Sequence, residues 1–183
     1  MPKFKLILAY DGTAYHGWQS QPSDRGVQDH VETALARLFP SAPRLESASR
    51  TDAGVHALGM VAHFEVAPEE TRILVRHLAL SINSGLPDDI RVRSATRVPA
   101  DFHARFDAAG KQYRYQIWNH PVMNPLLRHR AWHVPQPLDL PAMRAAAAHL
   151  TGRHDFLAFT SNCPGVLTDS VRTLTRCEIQ RRG

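Results

Sequence analysis

The most chemically distinctive stretch of this sequence is residues 49–57, SRTDAGVHA. In an extended chain, residues two apart point to the same side, so Arg50 and Asp52 can share a face. A guanidinium nearby favours the ionised form of a carboxylic acid. Gly54 permits a tight turn or the close approach of a ligand. The pattern therefore indicates a loop that presents one ionised carboxylate beside a cation, which suits a nucleophile or a general base.

Two other interpretations of this loop stay open on the residues alone. Asp52 could cap backbone amides of a turn while Arg50 faces solvent, which is the commoner role of an isolated Arg-x-Asp pattern. A hydrolase based on carboxylates would need a partner acid near Asp52, and none is apparent in the sequence.

Residues 103–133 have the composition of a nucleic-acid contact. They contain five basic residues against one acid, Asp107, and the basic residues stand among aromatic ones. Basic side chains among rings suit RNA phosphates and bases, and a solvated surface is the alternative for each arginine. The basic residues are Arg105, Lys111, Arg114, Arg128 and Arg130. Arg91 and Arg93, on one face of a predicted strand, could extend the patch.

The eleven histidines and two cysteines do not form a metal motif. His129 and His133 have i, i+4 spacing, but no glutamate stands beside His129 as a metalloprotease helix requires, and Pro135 argues against a helix. Cys163 and Cys177 lack paired metal spacing and are too few for a disulfide framework, so we expect reduced structural thiols. We predict neither a metal nor another cofactor.

The overall composition fits a protein with a polyanionic partner. The net charge is +5 and the pI about 9.7, and nearly all of the positive charge is arginine, whose planar fork grips phosphate. No apolar run approaches the ~20 residues of a membrane span, and the apolar stretch before Asp11 is too short for a signal peptide. We expect a cytoplasmic protein.

The first hundred residues predict the elements that must position Asp52. Apolar alternation predicts strands at 4–10, 60–66 and 90–93, with a short extended segment at 45–50. Helical spacing predicts helices at 27–38, ending before Pro40, and at 68–82, opened by Pro68. The order β-α-β-β-α-β is the split βαβ or ferredoxin-like pattern of α+β folds. Its helices cover one face of an antiparallel sheet and leave the other open. In the loop after the first strand, Asp11 should brace the chain and Trp18 should pack beneath it.

A second series of elements is incomplete. Strands are predicted at 113–117 and 174–180, with an alanine-rich helix at 139–150 between them. The series ends as β-α-β, so we expect a chain truncated at its C-terminus or completed by another chain. We divide the sequence into an N-terminal ferredoxin-like half, 1–105, that carries Asp52, and an incomplete C-terminal half, 106–183.

Residues 50–57 resemble the signature of the TruA family of tRNA pseudouridine synthases, and further segments agree with that family in order along nearly the whole chain. These are Tyr10, Asp11, Gly12, Tyr15, Gly17, Trp18, Gln19 and Gln21; Val27 and Gln28; Leu86, Pro87, Asp89 and Ile90; and residues 101–105, 113–115 and 152–156. Ser49 departs from the family, which usually has glycine there. Family members also continue for many residues past position 183.

The resemblance implies a pseudouridine synthase fold and an isomerase that converts uridines 38–40 of the tRNA anticodon arm to pseudouridine. Asp52 would be the catalytic aspartate, Arg50 would pair with it and help to open the RNA, and Tyr113 would stack on the target uracil. On the residues alone, Tyr113 or Tyr115 could simply pack in the core. The resemblance also implies a homodimer that binds tRNA across both subunits. A non-catalytic RNA-binding fragment is the alternative for the chain as it stands.

The reaction itself explains why a carboxylate suffices. It breaks the C1′–N1 bond, turns the uracil and joins C1′ to C5 without a change of oxidation state, so it needs no redox cofactor. A carboxylate can attack C1′ or C6, or remove a sugar proton, and the sequence leaves all three routes open. The uridine must leave its stack at a cost of a few kcal/mol, of which an aromatic ring such as Tyr113 recovers roughly 1–3 kcal/mol.

Overall fold

A computed structural model describes residues 1–21, 25–71, 73–160 and 170–181. The chain forms two compact units, Met1–Tyr113 and Arg114–Gly183. In the described part of the chain, no helix is both long enough and apolar enough to span a membrane.

The described part of the first unit is a four-stranded antiparallel sheet with two α-helices. Its strands are β1 (Lys3–Tyr10), β2 (Glu46–Ser47), β3 (Ala57–Glu65) and β4 (Ile90–Val98). Helix α1 (Val27–Ala36) follows β1, and helix α2 (Val75–Asn83) follows β3. The strand order is β2-β3-β1-β4. Both the element order and this sheet confirm the predicted ferredoxin-like pattern.

Alternation along β1 and β3 places one face of the sheet in the core. Lys3 and His63 are the exceptions on these two strands, since both are buried on the other face. Phe4, Leu6, Leu8 and Tyr10 are buried on β1, while Lys5, Ile7 and Ala9 between them are half-buried. The helices cover this face, because their apolar residues recur at helical spacing. The buried partners from β3 and the two helices are Met60, Ala62, Phe64, Val27, Val31, Leu35, Leu78 and Ile82.

The second helix begins later than the sequence predicts. Pro68–Glu70 forms a separate turn of 3-10 helix, and α2 starts only at Val75. The Glu70 carboxylate explains the difference, since it accepts hydrogen bonds from the backbone and hydroxyl of Ser41 at 2.7 and 2.6 Å. It also accepts the Ala67 amide at 3.1 Å. Glu70 therefore ties this turn to the chain after α1 and does not open a longer helix.

In its described residues the second unit contains short strands and one α-helix. Strands β5 (Ile117–Asn119) and β6 (Trp132–Val134) pair in parallel. Helix α3 (Leu140–Ala148) follows, and β7 (Gly152–Asp155) pairs antiparallel with β8 (Val171–Leu174). The predicted alanine-rich helix is confirmed, and the Asp139 carboxylate caps it by accepting the Ala142 amide at 3.0 Å.

Both strands predicted in this unit are displaced. The predicted strand at 113–117 is wrong except for its last residue, and the strand predicted at 174–180 lies at 171–174. Residues 111–117 are all exposed, so the apolar alternation of Tyr113 and Tyr115 is not matched by burial. Among the described residues of this unit, Ala147 alone is buried. The apolar alternation therefore does not predict the strand positions here, because these residues do not pack against a buried core.

Candidate active site

Asp52 is the first residue of a tight turn. The Val55 amide donates to the Asp52 carbonyl at 3.1 Å, and Gly54, the third residue of the turn, has φ +78°. A positive φ at that position is what a type II turn requires, and it favours glycine. A Cβ on Gly54 would meet no atom within 4 Å, so the backbone angle and not a lack of space calls for glycine.

The Asp52 side chain is exposed at the surface. Across residues 1–21, 25–71, 73–160 and 170–181, its carboxylate accepts no hydrogen bond and forms no ion pair, so it does not cap the turn. A carboxylate without an intramolecular partner is available to a ligand. This outcome is the one that a catalytic interpretation of the loop requires.

The backbone of this turn is held by the loop that follows β1. The Trp18 amide donates to the Thr51 carbonyl at 3.0 Å, and the Gly54 amide donates to the Tyr15 carbonyl at 3.3 Å. Thr51 is also held through its side chain, because its hydroxyl lies 2.8 Å from that of Tyr10. These contacts hold the backbone that carries the Asp52 side chain.

Two glycines allow the two loops to approach so closely. A Cβ on Gly17, whose φ is +97°, would lie 2.6 Å from the Thr51 carbonyl oxygen. A Cβ on Gly12 would lie 2.1 Å from the Val55 carbonyl oxygen. Real side chains do not tolerate such distances, so both positions need glycine for the turn to dock.

His56 joins the far end of the turn to Asp11. Its Nδ1 lies 3.0 Å from Asp11 Oδ1 and 3.1 Å from the Gly12 amide nitrogen. Nδ1 accepts the Gly12 amide when the ring proton is on Nε2, and it donates to the Asp11 carboxylate when Nδ1 itself carries a proton. Asp11 also accepts the amide and hydroxyl of Thr13 at 3.1 and 2.6 Å. The predicted bracing role of Asp11 is confirmed, and His56 extends that brace to the Asp52 turn.

Tyr15 and Trp18 form the floor beneath the loop. Trp18 is buried as predicted, with its ring 5.9 Å from that of Tyr10. Tyr15 donates a 2.5 Å hydrogen bond to Asp89, and the Asp11 amide donates to the Asp89 carbonyl at 2.9 Å. Burial, together with the Asp89 carboxylate, raises the pKa of Tyr15. Its hydroxyl therefore stays protonated and keeps donating throughout the neutral range.

The other predicted site residues are all exposed. Arg50 is exposed, and no ion pair joins it to Asp52 in the part of the chain that the structure describes. Tyr113 is 68% exposed and lies outside any strand, so the core-packing alternative for it is not observed. Arg105 is exposed in the first unit. The exposed arginines of the second unit are Arg114, Arg128 and Arg130.

One cluster of possible metal ligands is used for hydrogen bonding. Ligand atoms of Glu46, His63 and His103 lie within 4.8 Å of one another. His63 Nδ1 accepts the Ala104 amide at 3.2 Å, and His103 Nδ1 accepts the Arg105 amide at 3.2 Å. Each ring then carries its proton on Nε2, so that nitrogen has no lone pair for a metal. His103 Nε2 donates to the Glu46 carboxylate at 2.8 Å instead.

The remaining predictions on metal-binding residues fall as follows. His133 lies in strand β6 (Trp132–Val134) and not in a helix, as Pro135 suggested. Cys177 is a free, half-buried thiol. Cys163 lies outside the described residues.

The motif of residues 50–57 predicts a role for Asp52 but none for the residues that hold it. Those residues are Tyr10, Thr51 and His56. Their polar atoms become informative only when the strand–loop connection brings residues 10–18 against residues 51–56. The signal in the sequence was the pair of glycines, Gly12 and Gly17, in a loop that follows a strand.

The sequence of this chain is similar to those of several known proteins. A family profile described as tRNA pseudouridine synthase matches residues 6–107. The chain is 45% identical over 181 residues to the tRNA pseudouridine synthase A of Acetivibrio thermocellus, covering 99% of this chain and 72% of that protein. It is 50% identical over 162 residues to that of Syntrophotalea carbinolica, covering 88% and 63%. It is 47% identical over 184 residues to that of Geobacter sulfurreducens, covering 100% and 73%. The matched part thus spans 63% to 73% of these three relatives.

Proposed function

Because this chain belongs to the tRNA pseudouridine synthase family, we propose that it isomerises uridine in the anticodon arm of tRNA to pseudouridine, with Asp52 as the catalytic carboxylate. The observation that carries the proposal is the state of Asp52. It is an exposed carboxylate without an intramolecular partner in the described chain, on a turn whose backbone is fixed by Tyr15 and Trp18. A reactive group held in advance on a rigid backbone lowers the entropic part of the activation barrier.

The proposed reaction uses only atoms of the substrate and a carboxylate. The C1′–N1 bond breaks, the uracil turns, C1′ joins C5, the C5 proton leaves and N1 takes up a proton. Asp52 acts by attack at C1′ or C6 or by removal of a sugar proton. In each case the side chain has to be open to solvent when the nucleotide arrives, as it is here.

The substrate-binding roles are proposals of the same kind. The exposed ring of Tyr113 stacks on the everted uracil, and the exposed guanidinium of Arg50 contacts the RNA beside Asp52. Arginine side chains that are exposed in both units suit phosphate contacts. These are Arg105, Arg114, Arg128 and Arg130. In this proposal residues 1–105 form the catalytic half and residues 106–183 the beginning of the second, in a cytoplasmic homodimer.

The decisive experiment uses unmodified tRNA and maps pseudouridine by carbodiimide labelling. The wild-type chain should give product at anticodon-arm uridines, and Asp52→Asn should give none while it still binds tRNA. Wild-type binding that weakens with salt but yields no product would favour the alternative, a non-catalytic RNA-binding fragment. A chain extended to the length of its relatives, assayed in parallel, separates an incomplete enzyme from an inactive one. Unchanged activity in Asp52→Asn would remove Asp52 from the mechanism.

A further inference from the structure

Two β-bulges face each other across β1 near the Asp52 turn. On the β3 side, Leu8 pairs with Met60 but Tyr10 pairs with Ala57, so β3 carries one extra residue between them. On the β4 side, Ile7 pairs with Ser94 but Leu8 pairs with Val92, which leaves Arg93 as the extra residue. Bulges re-aim the chain and occur often beside active sites.

The side chain of Arg93 connects these two bulges. Its Nη1 donates to the Leu58 carbonyl at 2.9 Å, although β1 lies between the two strands. By alternation, β1 presents Ala9 on the open face at this level, and that small side chain leaves room for a guanidinium to cross. Arg91 differs, since it bonds to the nearby carbonyls of Pro87 and Ile90.

The position of Leu58 gives this contact its importance. Leu58 is the second residue of β3 and follows Ala57, with which the strand begins after the Asp52 loop. Packing does little to hold it, because its side chain is 72% exposed and a Cβ on the neighbouring Gly59 would touch nothing within 4 Å. The ladder between β1 and β3 is also interrupted here.

We infer that Arg93 is a positioning residue, whose guanidinium fixes the C-terminal end of the Asp52 loop. Its hydrogen bond to the Leu58 carbonyl, here termed the clasp, joins the two bulges across β1. The loop is then held at both ends. Tyr10 holds the start through Thr51, and Arg93 holds the exit through Leu58. The inference deepens the proposed function and rests on it for its catalytic consequence, while the clasp itself can be tested without activity.

Arg93→Met tests the clasp, because methionine keeps an unbranched apolar stem and removes every donor. Arg97→Met is the matched control, since Arg97 is an exposed arginine toward the other end of the same strand. In Arg93→Met, amides of residues 56–60 should exchange with deuterium about tenfold faster, as expected when a hydrogen bond from a charged donor is lost. In Arg97→Met, exchange in this segment should match the wild type. Unchanged exchange in Arg93→Met overturns the inference, whether or not the chain is active.

The kinetic measurement separates positioning from phosphate binding. With tRNA at saturation, the single-turnover rate of Arg93→Met should fall roughly tenfold, with little change in the dissociation constant, because misplacement of a catalytic group slows the chemical step. A phosphate contact would instead weaken tRNA binding and lower the salt slope by about one, leaving the rate unchanged. That result, or faster exchange with an unaltered rate, contradicts the positioning role. A wild-type chain that makes no product counts against the proposed function, and the exchange measurement then decides the clasp alone.

Discussion

The hydroxyl of Tyr10, the last residue of β1, lies 2.8 Å from the hydroxyl of Thr51, the residue directly before Asp52. Tyr10 is buried, and its ring lies against Trp18. Burial raises the pKa of Tyr10, although its hydrogen bond with Thr51 acts in the opposite direction. The hydroxyl therefore stays protonated at neutral pH. The central strand of the sheet is thus coupled to the candidate catalytic residue through one side-chain hydrogen bond.

Tyr10→Phe removes this bond with almost no change of shape. The variant should lose about 1 kcal/mol of unfolding free energy, the usual net value of one hydrogen bond, and should turn over more slowly because the loop is less fixed. Urea unfolding of Tyr10→Phe, Thr51→Val and the double variant measures the coupling. Strictly additive losses would show that the two hydroxyls do not interact.

Asp52→Asn should leave stability unchanged within about 0.5 kcal/mol, because an exposed side chain without intramolecular partners contributes little to folding. This expectation separates a catalytic carboxylate from a structural one. Urea unfolding beside the pseudouridine assay provides the comparison. A stability loss above about 1 kcal/mol would reveal an interaction of Asp52 within the folded chain and would weaken the case for a site kept open for substrate.

Gly17→Ala and Gly54→Ala form a matched pair. Both positions have positive φ, which costs a residue with a side chain roughly 1–2 kcal/mol. Only Gly17 also lacks space, since an added Cβ would lie 2.6 Å from the Thr51 carbonyl oxygen. A Cβ added to Gly54 would have no atom within 4 Å. Gly17→Ala should therefore destabilise more and also slow turnover by displacing the Asp52 loop. Equal losses in thermal unfolding would mean that loop contact does not matter.

The sequence predicts the first unit well because its signals are local and mutually consistent. Alternation on β1 and helical spacing on α1 each match a buried face, so both elements lie where the pattern places them. The predicted start of the second helix at Pro68 is wrong, because Glu70 accepts hydrogen bonds from Ser41 and does not form the first turn of α2. Tyr113 and Tyr115 alternate like strand residues but have no core to face. Within the site, Asp52 could be found from its motif. The Arg93–Leu58 contact could not, because it depends on two bulges that bring residues 35 positions apart together.

His63 should make folding stability depend on pH. It is 4% exposed on β3 and accepts the Ala104 amide on Nδ1, a bond that a protonated ring cannot accept. Burial lowers the pKa of His63 below its ordinary value of 6.5, and Lys3 and His103 act in the same direction against Glu46 and Glu65. Because the unfolded chain binds this proton more readily, unfolding takes up a proton once the pH falls below about 6.5. The contribution of His63 to the free energy of unfolding should therefore be constant above that pH and should decline as the pH falls below it.

The matched variants for this pH dependence are His63→Asn and His16→Asn. Asparagine at position 63 offers an amide oxygen for the Ala104 amide but does not titrate in this range, so the decline between pH 6.5 and 5 should become shallower. His16 is exposed in the loop after β1, and its replacement should leave that decline as in the wild type. Urea unfolding at several pH values measures both. An equally steep decline in His63→Asn would assign the proton uptake to another group and would mean that the Ala104 contact does not govern the acid sensitivity of this unit.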